Sequence, residues 1–169
     1  MNEKINKLLV NDDRFELDKF ALENHLQISK ILSYDVIEIE IGKILRQQNN
    51  KIFNISKSAP SEYLKSNNIN DYKKYCNEIC VGEDKEHHSI EIFDKLISDL
   101  DANDYDLKKG AIVINQLNII MDGQHRSSIL CNKYGMNHKV KVVKIHYLYL
   151  GIRTYINYIK YKFFGDKHV

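Results

Sequence analysis

Residues able to do chemistry gather in two stretches of this sequence. The first is Asp122-Gly123-Gln124-His125-Arg126-Ser127-Ser128, which follows the apolar run Ile119-Ile120-Met121 and precedes Ile129-Leu130. A strand that turns at a glycine into a helix leaves the helix's first N–H groups unpaired, at the positive end of its dipole. Such a start binds anions, phosphate above all. Arg126 could grip a phosphate with two parallel hydrogen bonds. His125 could donate to it or carry a proton, and the Ser127 and Ser128 hydroxyls could add donors. Asp122 would repel an anion, so its place suggests a Mg2+ ligand, a base for a substrate hydroxyl, or a group that orients Arg126. The plainer reading is structural: Asp122 caps the helix and pairs with Arg126. The run is not a P-loop, and with one glycine it is not the dinucleotide fingerprint.

The second stretch holds Glu86, His87, His88 and Glu91. Ser89 is a good N-cap for a helix over 90–100, with Ile90, Phe93, Leu96, Ile97 and Leu100 on one face. Glu91 falls in its first turn, where a carboxylate suits the dipole. Cys76 and Cys80 share a helix face, and His87 and His88 are the nearest further zinc ligands. Buried structural thiols are the favoured reading of those cysteines.

The elements that must position these residues follow from periodicity. Residues 1–32 carry helical spacing, from Leu8 and Leu9 through Phe15, Leu17, Phe20, Leu26 and Ile28 to Ile31 and Leu32. Tyr34 to Ile41 alternates as a strand with one wet face. Residues 43–60 read as a connection with a short apolar element at 52–55 and a turn at Ser58-Ala59-Pro60. Two short helices are expected over 61–64 and 69–80. Ala111 to Ile114 and Ile119 to Met121 are strands joined by a tight turn at Asn115-Gln116-Leu117-Asn118. The helix after the motif should run to about Tyr134, with Gly135 past its end. His138 to His146 is a further strand. From Leu148 to Phe164, Leu148, Ile152, Tyr155, Ile156, Ile159 and Phe163 recur at helical spacing. That stripe reads first as a face docked on the core. The alternative is a surface for a membrane or partner protein, since Arg153, Lys160 and Lys162 flank it.

At 169 residues, 43% of them hydrophobic, the chain can build a core. A net charge of +2 and the lack of a dense Lys/Arg stripe argue against nucleic acid as a partner. Three cysteines and no leader pattern point to a reducing, cytoplasmic setting, with the inner membrane face as a peripheral alternative. No apolar run reaches the roughly 18 residues of a membrane span.

Asp122-Gly123-Gln124-His125-Arg126, between an apolar strand and a helix, resembles the signature of the ParB/sulfiredoxin superfamily. The order of strand 34–41, helix 89–100, strands 111–121, motif helix and strand 138–146 agrees with it. The resemblance implies an α+β, ParB/sulfiredoxin-like domain over 34–147: a small mixed sheet with packed helices. A helical extension (1–33) and an amphipathic helix (148–169) flank it.

The resemblance also implies nucleotide binding at Gly123, Gln124, His125, Arg126, Ser127 and Ser128. Gln124 stands where the sulfiredoxins carry their cysteine, and too little chain follows for the helix-turn-helix of the partitioning proteins. The motif as spelled is similar to that of a set tied to DNA modification. Residues 86–146 resemble small proteins of surface-polysaccharide gene clusters, with His88-Ser89 before the helix. The superfamily's free-serine kinases use a related loop with a glutamate base. The function expected is therefore nucleotide binding with phosphotransfer to a small hydroxyl compound, in a surface-polysaccharide pathway. ATP or another nucleotide would be the donor and Asp122 would hold Mg2+. Asp122, His125, Glu86, Glu91 and His88 are the catalytic candidates. The alternative is a non-catalytic nucleotide-binding module that regulates DNA or a partner protein.

Overall fold

The computed structural model describes residues 30–70, 72–73, 76 and 90–165. In chain order their strands and α-helices are β1 (Ile31–Glu40), β2 (Leu45–Gln48), β3 (Lys51–Asn54), α1 (Ala59–Ser66), α2 (Ile90–Ala102), β4 (Val113–Asn115), β5 (Ile120–Asp122), α3 (Gln124–Tyr134), β6 (Lys139–Tyr147) and α4 (Ile152–Phe164). The architecture is α+β. A small mixed sheet has the order β1-β6-β4-β5, and β2 and β3 form a separate hairpin.

β1 and β6 pair antiparallel, with Ile37 opposite Val142 and Ile39 opposite Val140. β4 runs parallel to β6, and β5 returns antiparallel at the edge. Parallel neighbours cannot be joined by a tight turn. The chain therefore leaves β4 through β5 and crosses over along α3 before it enters β6. That crossover fixes the turn at 122–124 as the point where the sheet edge hands over to a helix. Apolar side chains fill both sides of the sheet. Ile39, Ile114, Val140 and Val142 pack with Ile120 and Leu130, while Val113, Val143 and Ile145 pack with Ile31 and Leu107.

The structure departs from the sequence reading in four places. β1 begins at Ile31, so Ile31 and Leu32 are strand residues and not the end of a helix. Its second face is not simply wet, because Tyr34 and Val36 pack against Val143 and its neighbours. Residues 45–54 form a hairpin whose turn, Asn49-Asn50, has φ of +49° and +63°, the left-handed pair that a two-residue hairpin turn requires. α1 starts earlier than expected. Ser58 is its N-cap and accepts from the Ser61 N–H, and Pro60 lies in the first turn, where no N–H is needed. The expected helix over 1–29, the loop at 81–88 and the Ser89 cap lie outside the described residues. So does most of 74–80, although Ile69, Asn70, Tyr72, Lys73 and Cys76 are helical.

The fourth departure concerns α4. It docks through Tyr158 and Tyr161, whose rings cover Leu45, Ile52 and Ile119, with Asn157 buried between the two sides. The aliphatic stripe read as the docking face points outward instead: Ile152 is 78% exposed and Phe163 80%. Two tyrosine rings supply the area needed to cover the hairpin, which leaves the aliphatic side unused.

Candidate functional site

The motif turn is built by Gly123. It starts α3 in the left-handed region, at φ +78°. A Cβ there would lie 2.7 Å from the Ala111 carbonyl oxygen and 2.9 Å from Ile112 Cα. Glycine is thus required twice, for its φ and for the close passage of the chain entering β4. The approach it permits is that of its own chain. Asp122 is exposed, and its Oδ1 accepts the Gly123 N–H at 2.6 Å. It does not cap α3.

The next five side chains separate into inward and outward sets. Ser127 and Ser128 are fully buried. The Ser127 hydroxyl donates to the Gly123 and Gln124 carbonyls at 2.8 and 3.1 Å. The Ser128 hydroxyl lies 2.9 Å from that of Ser58, which in turn donates to Ser61, and Ser61 donates to the Ile55 carbonyl. Both serines therefore tie α3 to the core. The expectation that they offer hydroxyls to a phosphate fails, because positions 127 and 128 fall on the inner face of the helix.

His125 is half-buried. Its Nε2 lies 2.8 Å from the Tyr72 hydroxyl, and its ring packs on Phe93 at a centroid distance of 4.9 Å. Arg126 is half-buried and lies against Gly110, where a Cβ would fall 2.3 Å from the guanidinium carbon. Among the described residues no carboxylate pairs with it, so the Asp122–Arg126 ion pair of the plainer reading is not formed. Its charge reaches Tyr105: burial pushes that phenol above its ordinary value, and the Ile112 N–H and then Arg126 pull against the shift. Gln124 is buried, and its Nε2 has no acceptor among the described residues. An orphaned buried donor costs about 1–3 kcal/mol, so its presence calls for a partner.

Of the acidic and histidine cluster, Glu86 and His88 lie outside the described residues. Glu91 is exposed in the first turn of α2. Phe93 brings that turn against His125, but residues two apart on a helix do not share a face. Glu91 therefore leaves α2 from a different face than Phe93, which makes the His125 contact.

Sequence reasoning missed Tyr72, Gly110 and Ser58. Tyr72 carries only the signal of an aromatic residue in a helical run. Gly110 reads as a loop residue, and its role appears only once Arg126 is seen to lie on it. A cleft of about 570 Å3, lined in part by Glu38, Tyr105, Tyr134, His138 and Lys141, adjoins the other side of α3. None of residues 122–128 lines it, so cleft and motif are separate features.

The donor set fits an anion. The first N–H groups of α3, the Arg126 guanidinium and the Gln124 amide all lie in one turn and all donate. For Mg2+ the described residues offer the Asp122 carboxylate, with one oxygen already held by the Gly123 N–H. No group of three or more His, Cys, Asp or Glu able to hold a metal occurs among the described residues. Mg2+ commonly enters on one carboxylate together with substrate phosphates, so a nucleotide-borne ion fits this set. No family model matches the chain, and neither a curated protein nor a solved structure is significantly similar to it.

Proposed function

We propose that this protein binds the phosphates of a nucleotide at the start of α3 and transfers a phosphoryl group to a small hydroxyl compound. The observation that carries this reading is the orphaned Gln124 Nε2, buried in the same helical turn as an Arg126 with no carboxylate partner among the described residues. A phosphate on the first N–H groups of α3 would neutralise Arg126, and a shift of the Gln124 side chain would bring its amide onto the same anion. Asp122 is exposed at the mouth of the turn, where it can hold the nucleotide's Mg2+ or accept the proton of the attacking hydroxyl. The acceptor oxygen would bond to the terminal phosphorus as the bond to the bridging oxygen breaks.

The test is calorimetric titration with ATP, ADP and CTP, each with Mg2+, against wild type and Arg126→Ala. Removing a charge-assisted contact should weaken binding by roughly ten-fold or more. Equal affinities for the two proteins would remove the site. A non-catalytic nucleotide-binding module is the second reading, favoured by Glu91 leaving α2 from a different face than Phe93, which makes the His125 contact. Phosphoryl transfer to a panel of small alcohols separates the two: binding without turnover selects the module.

A further inference from the structure

α4 is amphipathic the wrong way round for a helix that only docks. Its inner side carries Thr154, Asn157, Tyr158 and Tyr161, all polar or half-polar and all at least partly covered. Its outer side carries Ile152, Ile156, Ile159 and Phe163, with Tyr155 at the margin. At about 100° per residue these outer positions form one continuous stripe along the helix. Ile159 is 52% exposed, and Ile152 and Phe163 are more exposed still. The approach to the helix continues the surface, since Leu148 and Tyr149 are 64% and 55% exposed.

The charges around this stripe are of one sign. From Leu148 to Phe164 the chain carries Arg153, Lys160 and Lys162 and no Asp or Glu. The same helical spacing puts Arg153 and Lys160 along one flank of the stripe and Lys162 along the other. All three are exposed, and Lys30, over the Tyr149 ring at 5.3 Å, adds a cation at the near end. Long basic side chains on both flanks of an apolar stripe can reach phosphate headgroups while the stripe enters the acyl boundary. No helix among the described residues is long and apolar enough to cross a membrane, so the geometry is that of a helix lying in the interface plane.

We propose that α4 docks this protein on an anionic lipid surface, with Ile152, Ile156, Ile159 and Phe163 inserted and Arg153, Lys160 and Lys162 on the headgroups. The one-signed flanks select this occupant. A second copy of the helix would bring like charges together, whereas an anionic bilayer meets all of them.

The chain has no tryptophan, so a single introduced indole reports without background. Full-length Phe163→Trp is mixed with vesicles in which about a third of the lipid is phosphatidylglycerol and the rest phosphatidylcholine. Tyr134→Trp on α3 serves as the control. The expected result is a blue shift of the position-163 indole with anionic vesicles, much weaker with pure phosphatidylcholine, and none at position 134. Co-sedimentation of the tryptophan-free chain should fall at least about ten-fold for Ile159→Glu and for the pair Arg153→Glu, Lys160→Glu, with melting temperatures near wild type. Binding that survives Ile159→Glu, or that is equal on neutral and anionic vesicles, overturns the proposal. So does an indole at 163 already blue-shifted without lipid, which would mean that another part of the chain covers the stripe. A dimer in solution that Ile159→Glu dissociates assigns the face to a second copy and overturns it as well.

Discussion

His125 Nε2 and the Tyr72 hydroxyl lie 2.8 Å apart, 53 residues from each other in sequence. The bond turns the motif histidine toward Tyr72 and Phe93, whose rings stack at 5.1 Å, and fixes the start of α3 against the helical layer. Tyr72 is fully buried. Tyr72→Phe keeps the ring and removes the hydroxyl, so stability should fall by about 1–2 kcal/mol in a urea titration. An unchanged midpoint would show that the bond contributes nothing.

The motif serines give the opposite contrast. Ser128→Ala breaks a fully buried chain of hydroxyls running through Ser58 and Ser61 to the Ile55 carbonyl. A loss of about 1–2 kcal/mol is expected. Ser127→Ala should cost less, within about 0.5 kcal/mol, because alanine regains in helix propensity what the hydroxyl supplied. Neither change should move nucleotide affinity by more than about two-fold, under 0.5 kcal/mol. A ten-fold loss of affinity in either variant, with stability intact, would return these hydroxyls to the ligand.

Much of the scaffold is readable from the chain, and the reason is periodicity. β6 and α2 each carry an apolar pattern of the matching period, α3 is bracketed by Gly123 and Gly135, and the turn at 115–118 ends on Asn118 at φ +62°. The β2–β3 hairpin escaped because Leu45-Arg46-Gln47-Gln48 has one apolar residue, too little to show alternation, although Asn49-Asn50 marked the turn. The apolar stripe of α4 was visible, but its direction was not: spacing says which residues share a face, and only packing says which face is covered. At the site, residue types located the turn at 122–126. They could not show that Ser127 and Ser128 point inward, or that Gly110 makes room for Arg126.

Gly110 and Gly123 should therefore fail in different ways. Gly123→Ala combines left-handed backbone, roughly 1–2 kcal/mol, with overpacking against Ala111 and Ile112 of about 1–3 kcal/mol. Backbone atoms cannot step aside, so a loss of about 2–5 kcal/mol is expected in denaturant titration. At Gly110 the obstructing atoms are the end of the Arg126 side chain, which can swing away. Gly110→Ala should cost about 1–3 kcal/mol for its φ of +158° and should also displace the guanidinium. Nucleotide affinity of the folded variant should then drop roughly ten-fold, about 1.4 kcal/mol. Wild-type affinity in Gly110→Ala would mean that the position of Arg126 does not matter to the ligand.

Alkaline pH should expose the other side of the sheet edge. Tyr147 closes β6, and its hydroxyl donates to Met121 Sδ at 3.4 Å, next to Asp122. Burial pushes its phenol from the ordinary 10.0 to about 12. The folded state thus holds the neutral phenol where the unfolded chain ionises. A folded pKa raised above the unfolded one gives stability that is complete below pH 10.0 and is lost as pH rises to about 12. Burial raises Tyr63 and Tyr105 as well, so they add to the same decline. Unfolding midpoints followed from about pH 8 to 12 should fall steeply in the upper half of that range. In Tyr147→Phe the fall should be shallower, because the group that gains a proton advantage on folding is gone. If wild type and variant decline in parallel, Tyr147 ionises without penalty and its burial does not anchor β6 to β5.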